Sequence, residues 1–499
     1  MLFILALLLA APDDLEAKLR HLGSASAAWA PAPAHDGSRI AFLTTLFGTR
    51  QAASMAMDGG YPFQLTDEPG GVVAVRYLPS DDGRLIALAK RGGLRRILIL
   101  DEAGTPSAEI DPLPGDQIPG GVTRDGKRFI YAVASGGKVA LRAFPFDAKK
   151  PVEIEPPPPA ANAQPPAGSQ PLAEALAGLF ALGPIAPDGR SILALVRRSA
   201  GETLVQIDIA AARGTVLTDV PARYRQPRFA PDGKSVYVMT DAGRATLGVD
   251  AITLQNKSRK TVYAPAQDLQ AFAVTDDGHR LAVATEAGGE TLFSLLELPS
   301  LRAQPLASPP SGALAEVAEG ESPLTWDRVG ERLFFGWQLA DDTTDVWELR
   351  TGYGTPVRLT RSPRPGLPRN GIVRPTPVKL ESSLAFFWRP VEPARPRVAV
   401  LISAGQTRPV FDKRIAALNF AGVAVLAVNG KGAQAAALAY LREASDLDPR
   451  APLLLDFEGL AVDEPAKWGA VVAPHGGKGG VELDGDQPDL AALVKSAGR

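Results

Sequence analysis

Short stretches of alternating apolar and polar residues recur along most of this chain, each bounded by turn-forming residues. Residues 235–239, Ser-Val-Tyr-Val-Met, are representative: β-branched and aromatic side chains at this period predict a strand. Equivalent stretches occupy 85–89, 128–133, 192–196, 281–284 and 333–337. The turns ahead of the strands carry Asp36-Gly37, Asp82-Gly83, Asp125-Gly126, Asp188-Gly189, Asp232-Gly233 and Asp277-Gly278, with Val329-Gly330 as a degenerate seventh. Glycine tolerates positive φ and aspartate bonds its own backbone, so the pair suits a tight reversal between strands. The pairs are spaced by 46, 43, 63, 44, 45 and 52 residues, the period of four-stranded propeller blades. Third strands are predicted at 96–100, 203–209, 291–296 and 345–349, and closing strands at 62–66 and 356–360. Seven such units predict an all-β seven-bladed β-propeller over 24–373, a ring that hides its sheet edges. The long third spacing, 63 residues, is taken up by residues 150–171, which include four consecutive prolines at 156–159. They read as a flexible, extended loop between blades three and four.

After Pro377 the pattern changes. Residues 398–403 and 423–428 are continuous aliphatic runs, suited to strands buried on both faces. Phe411, Ile415 and Leu418 follow the first at helical spacing, and Gly422 stops that helix. An Ala-rich helix over 433–444, a strand over 452–455 and a further strand over 468–473 complete a parallel α/β core within 374–499.

The N-terminus adds a location. Residues 2–10 are an unbroken apolar run, too short to span a bilayer, and end in Ala10 and Ala11 before Pro12 and two aspartates. Residues 1–11 therefore read as a signal peptide, although they contain no Lys or Arg, and the mature protein is expected in the periplasm or secreted, without a membrane span. Residues 12–23 predict a helix with Leu15, Leu19 and Leu22 on one face and His21 as a favourable cation near its C-terminal end.

Composition removes several function classes. Lys and Arg total 53 against 55 Asp and Glu, a net charge of −2, so no nucleic-acid partner is expected. The absence of cysteine excludes disulfides, thiolate ligands and cysteine nucleophiles, and four histidines make a multi-histidine metal centre improbable. Asp81-Asp82-Gly83 and Asp276-Asp277-Gly278 supply too few oxygens for calcium and read as turns. Neither a metal nor a cofactor is expected.

A propeller followed by an α/β domain resembles the prolyl oligopeptidase family of serine peptidases, nearest its acylaminoacyl-peptidase and dipeptidyl-peptidase branches. The run from Asp13-Asp14-Leu15-Glu16 to Asp36-Gly37-Ser38-Arg39-Ile40-Ala41-Phe42 is similar to that family's lead into its first blade. Pro375-Thr376-Pro377-Val378-Lys379-Leu380 resembles the crossing into its hydrolase domain, and Leu384-Ala385-Phe386-Phe387-Trp388-Arg389-Pro390 the strand that opens it. Residues 422–432, ending Asn429-Gly430-Lys431-Gly432, resemble the strand the family ends in Asn-Tyr-Arg-Gly. The propeller alone also resembles that of the periplasmic Tol system. The resemblance implies a truncated α/β-hydrolase-like domain over 374–499.

The chemistry departs from that pattern. Such a hydrolase carries its nucleophilic serine in Gly-x-Ser-x-Gly, where flanking glycines permit a strained strand-to-helix elbow. No such motif occurs in the chain. In register with the family, and with Leu447-Asp448-Pro449 as the run-up, the elbow falls on Asp456-Phe457-Glu458-Gly459-Leu460, with Glu458 at the nucleophile position. The oxyanion loop that the family writes His-Gly-Gly-Pro is Ser403-Ala404-Gly405-Gln406, and 39 residues follow Leu460, too few for the family's acid and histidine. Loss of the nucleophile alone costs on the order of 10⁶-fold in this mechanism. Two rescues are open: Asp456 as nucleophile, which needs a histidine base, or Ser403 acting with His475. His475 otherwise reads as part of a Pro-His-Gly-Gly turn.

The leading expectation is an exported, non-catalytic pseudo-peptidase with no catalytic residues, binding a peptide or protein through the propeller's funnel and loop faces. The alternatives are an active serine peptidase or esterase with a displaced nucleophile and a Tol-like envelope scaffold.

Overall fold

A computed structural model describes residues 12–456 apart from 80–82, 111–113, 124, 148–149, 156–167, 353, 368–370, 382, 404–406, 431–432, 449 and 451, and also 468, 470–472 and 489–497. The signal-peptide reading of 1–11, Asp81-Asp82, Glu458 and His475 lie outside the described residues. Among those described, no helix is long and apolar enough to cross a membrane.

Seven antiparallel sheets form the blades of a propeller, over 28–64, 72–109, 116–153, 169–216, 224–263, 269–305 and 312–358. The turn pairs do what their chemistry predicts. In blade five, Gly233 takes φ +67° and donates its N–H to Ala230 O at 2.8 Å, while Asp232 Oδ1 accepts the Lys234 N–H at 2.9 Å. Asp277 is used the same way, accepting from the Thr275 hydroxyl and the His279 N–H, so its carboxylate is engaged in the turn.

Two blades depart from four strands. Ser169–Pro171, the end of the Pro-rich segment, pairs with Arg213–Val216 and adds a fifth, outermost strand to blade four. At its other end, Val152–Glu153 is the closing strand of blade three, so the predicted loop 150–171 is partly sheet. In blade seven the inner strand is split into Gly312–Leu314 and Leu324–Trp326, which both pair with Arg332–Leu339. The intervening residues 315–323 reach across the ring. Glu319 pairs with Arg197 of blade four at 2.8 Å, and a Cβ on Gly320 would lie 2.8 Å from that of Ala181 in the same blade. The funnel expected to receive a partner is therefore crossed by the chain itself.

Blades meet through apolar side chains and, between blades two and three, through an Arg95–Asp116 ion pair at 2.6 Å. The Phe293 ring of blade six packs at a tilt, 4.7 Å from that of Phe335 and 5.7 Å from that of Trp337 in blade seven, all three almost fully buried. The ring closes without strand exchange, since each blade is one consecutive stretch; the Ala28 N–H meets Thr344 O at 2.9 Å where blades one and seven adjoin.

The α/β domain has six strands in the spatial order Thr376–Leu380, Ser383–Trp388, Val423–Asn429, Arg397–Ser403, Leu453–Asp456, Ala470–Val472. The last four are mutually parallel. The first helix of the chain, α1 (Pro12–Ser24), precedes the propeller, and a single turn, α2 (Leu172–Ala175), belongs to blade four. Three more helices, α3 (Lys413–Phe420), α4 (Ala433–Glu443) and α5 (Leu490–Ala497), cover the sheet. Ile415 and Leu418 of α3 pack with Leu493 of α5 on one face, and Ala433, Ala437 and Leu438 of α4 on the other. The α3 helix begins at Lys413, so Phe411 stands ahead of its cap. The α1 helix docks on this domain through Leu22 and Ala25, against Ala416, Ala417 and Leu490. His21 lies one turn short of its end, against Gly366, where a Cβ would come within 2.2 Å of Nδ1; packing, in addition to any capping, explains its place.

Candidate functional site

The central parallel strand, Arg397–Ser403, lies between Val423–Asn429 and Leu453–Asp456. The chain leaves it through α3 on one face and returns past it through α4 on the other. Crossovers on opposite faces open a crevice at the carboxyl ends of such strands, the place where open α/β sheets hold ligands. Ser403, Asn429 and Asp456 stand at those ends. Ser403 O accepts the Gly430 N–H at 2.6 Å, Asn429 Oδ1 accepts the Thr407 N–H, and Asp456, buried, pairs in register with Ile402.

Above this edge lies a cavity of about 530 Å³ between the sheet and blades one and seven. Trp29, Thr45, Glu316, Gln338 and Thr344 come from the propeller; Trp388, Ser403, Thr407, Arg408, Asp412, Lys413 and Arg414 come from the α/β domain. The wall is mixed, with two indoles, four hydroxyls, one amide and charges of both signs, a lining able to bond a peptide main chain and pack a side chain.

The charged groups also join the two domains. Asp412 caps α3, accepting the Arg414 N–H at 2.7 Å and pairing with the Arg414 guanidinium at 2.7 Å. Burial alone would raise its carboxyl, but the charge and hydrogen bonds of Arg414 and the Arg414 and Ile415 N–H groups outweigh that and hold it below the ordinary range. Lys413 Nζ donates to Gly23 O at 3.2 Å and Ala25 O at 2.5 Å, at the end of α1. Arg408 donates to Leu314 O at 3.1 Å and lies 3.4 Å from Glu316.

Of the residues singled out in the sequence, Ser403 lines the cavity and Asp456 lies at the same edge. No motif in the sequence marks Arg408, Lys413 and Arg414, which sit in the loop and first turn after the first parallel strand. Nor does one mark the broken inner strand of blade seven; its trace is the 52-residue spacing, longer than the 43 to 46 of the regular blades. Among the described residues, no group of His, Asp and Glu could hold a metal ion.

No family model and no curated protein matches this chain. Solved structures do. A puromycin-hydrolysing peptidase of Mycobacterium tuberculosis is 16% identical, with 92% of this chain and 78% of that one covered and a TM-score of 0.70. A puromycin hydrolase is 15% identical over 87% of this chain and 74% of its own, with a TM-score of 0.67. A structure from a study of prolyl endopeptidases is 14% identical over 93% and 74%, with a TM-score of 0.71. At these identities the likeness establishes the fold, a seven-bladed propeller with an α/β-hydrolase domain.

Proposed function

We propose that this protein is an exported peptide-binding protein that holds a peptide, without cleaving it, in the cavity between the propeller and the α/β sheet. One observation carries the reading. The cavity stands at the sheet edge where this fold places its chemistry, while the chain has no Gly-x-Ser-x-Gly and aligns Glu458 with the nucleophile position. A carboxylate in place of the serine hydroxyl does not form the acyl-enzyme that serine chemistry requires. The mixed lining is nevertheless suited to a short peptide. Export is part of the proposal and rests on residues 2–11.

A second reading, a serine hydrolase with a displaced nucleophile, is favoured by Ser403, whose position on the cavity wall is where a substitute nucleophile would be useful. Treatment with a fluorophosphonate probe, followed by peptide mapping, separates the two. The binding reading expects no saturable adduct beside a reactive control peptidase. A single labelled serine, lost on heat denaturation, would overturn it and name the nucleophile.

A further inference from the structure

Behind the interdomain cavity, the centre of the propeller holds two chambers, of about 200 and 270 Å³. The first is walled by the inner strands of blades one and two and by the crossing segment 315–323; the second by the inner strands of blades two, three and four. Both are lined by the same three charged residues: Arg76 of blade two, Arg228 of blade five and Glu321 of the crossing segment. No other described charged side chain lines either chamber.

The two guanidiniums are under-used by the protein. Arg76 donates to Gly120 O and Arg228 to Pro227 O at 2.9 Å, and among the described residues neither has a carboxylate within ion-pair distance. A guanidinium has five N–H donors, so most of theirs are left for the chambers. All three side chains are partly buried, and two cations against one carboxylate leave a positive excess in the channel, where a charge withdrawn from bulk water is stabilised by a paired, hydrogen-bonded partner. Burial pushes the Arg228 guanidinium below its ordinary range; Glu321 opposes that push and Arg76 adds to it.

We propose that a small oxyanion, a phosphate or a carboxylate group, binds between Arg76 and Arg228 in the propeller channel, and that Glu321 sets its affinity from the crossing segment. Planar guanidiniums suit both groups, because two parallel N–H donors match two oxygens. The chambers are smaller than typical drug-sized pockets, so the ligand is a small ion and not a peptide. The proposal is independent of the peptide reading, which concerns a different cavity.

Calorimetric titration of the full chain with inorganic phosphate and, separately, with succinate tests it at about 0.15 M sodium chloride, where exposed charges are screened. One probe saturates with one-to-one stoichiometry, and which one does so assigns the group. Arg228→Met and Arg76→Met each weaken binding by about tenfold or more, since each removes one side of the fork. Glu321→Gln strengthens binding by about threefold or more by removing a competing charge, a gain that adventitious surface binding would not show. If an arginine variant does not fold, Glu321→Gln alone decides. The proposal is overturned if neither probe saturates by about 20 mM with both wild type and Glu321→Gln, well above the concentration a paired buried site needs. Binding that survives both arginine substitutions, or that Glu321→Gln leaves unchanged, overturns it equally.

Discussion

Arg197 of blade four holds the carboxylate of Glu319, from blade seven, at 2.8 Å across the centre of the ring. The side chains are 54% and 47% exposed, so the pair adds little to global stability. Its consequence is local, because it tethers the crossing segment at its far end. Glu319→Gln is expected to leave the unfolding midpoint nearly unchanged while speeding amide exchange over 315–323. Hydrogen exchange read on peptides from that segment checks this; unchanged exchange would show that packing of Gly320 on Ala181 holds the segment by itself.

Asp412 links the cavity wall to the start of α3, and Asp412→Ala is expected to cost about 1 kcal/mol at neutral pH through loss of the cap. Its carboxyl is held below the ordinary range, so its stabilising contribution is complete above about pH 4 and is lost as pH falls through the depressed value. The difference between wild type and variant in urea unfolding should therefore shrink on acidification. Asp448, held at about 2 by the side chain and N–H of Arg450, contributes to the same acid limb. A difference constant from pH 7 to pH 2 would contradict this assignment.

Gly37 and Gly278 occupy equivalent turns with φ of +73° and +72°. A Cβ on Gly37 meets nothing within 4 Å, whereas one on Gly278 would lie 2.8 Å from Pro231 Cγ in the preceding blade. Gly37→Ala is expected to lose about 1–2 kcal/mol from the left-handed backbone alone. Gly278→Ala should lose about 1 kcal/mol more through the contact with its neighbour. Equal losses in chemical denaturation would remove the inter-blade contact from the account.

Phe293→Ala should be the most damaging of these changes, at about 3–5 kcal/mol, because it opens a cavity between blades six and seven. The aromatic near-ultraviolet circular dichroism should fall with it, since Phe335 and Trp337 lose a packing partner at 4.7 and 5.7 Å. A loss below about 1 kcal/mol would mean that the two blades collapse to refill the site.

The blades are legible along the chain because their signals are local. Asp232-Gly233 makes its turn with its own neighbours, and Ser235–Thr240 is apolar on both faces because Val236 and Val238 pack on blade four while Tyr237 and Met239 pack on blade six. The runs 398–403 and 423–428 likewise announce strands covered on both faces, and α3 and α4 provide that cover. The lack of Gly-x-Ser-x-Gly is also readable directly, because such a motif is a contiguous stretch of residues.

Other features depend on which distant residues the closed ring brings together. Arg76 and Arg228 come from blades two and five, and their meeting in one channel depends on all seven blades closing. The same holds for Lys413 reaching the carbonyls of Gly23 and Ala25, and for Glu319 finding Arg197. A turn or a buried strand is specified by residues a few positions apart, so period and composition report it. A charge pair across a ring depends on loop closure over more than a hundred residues, and no local period carries that information.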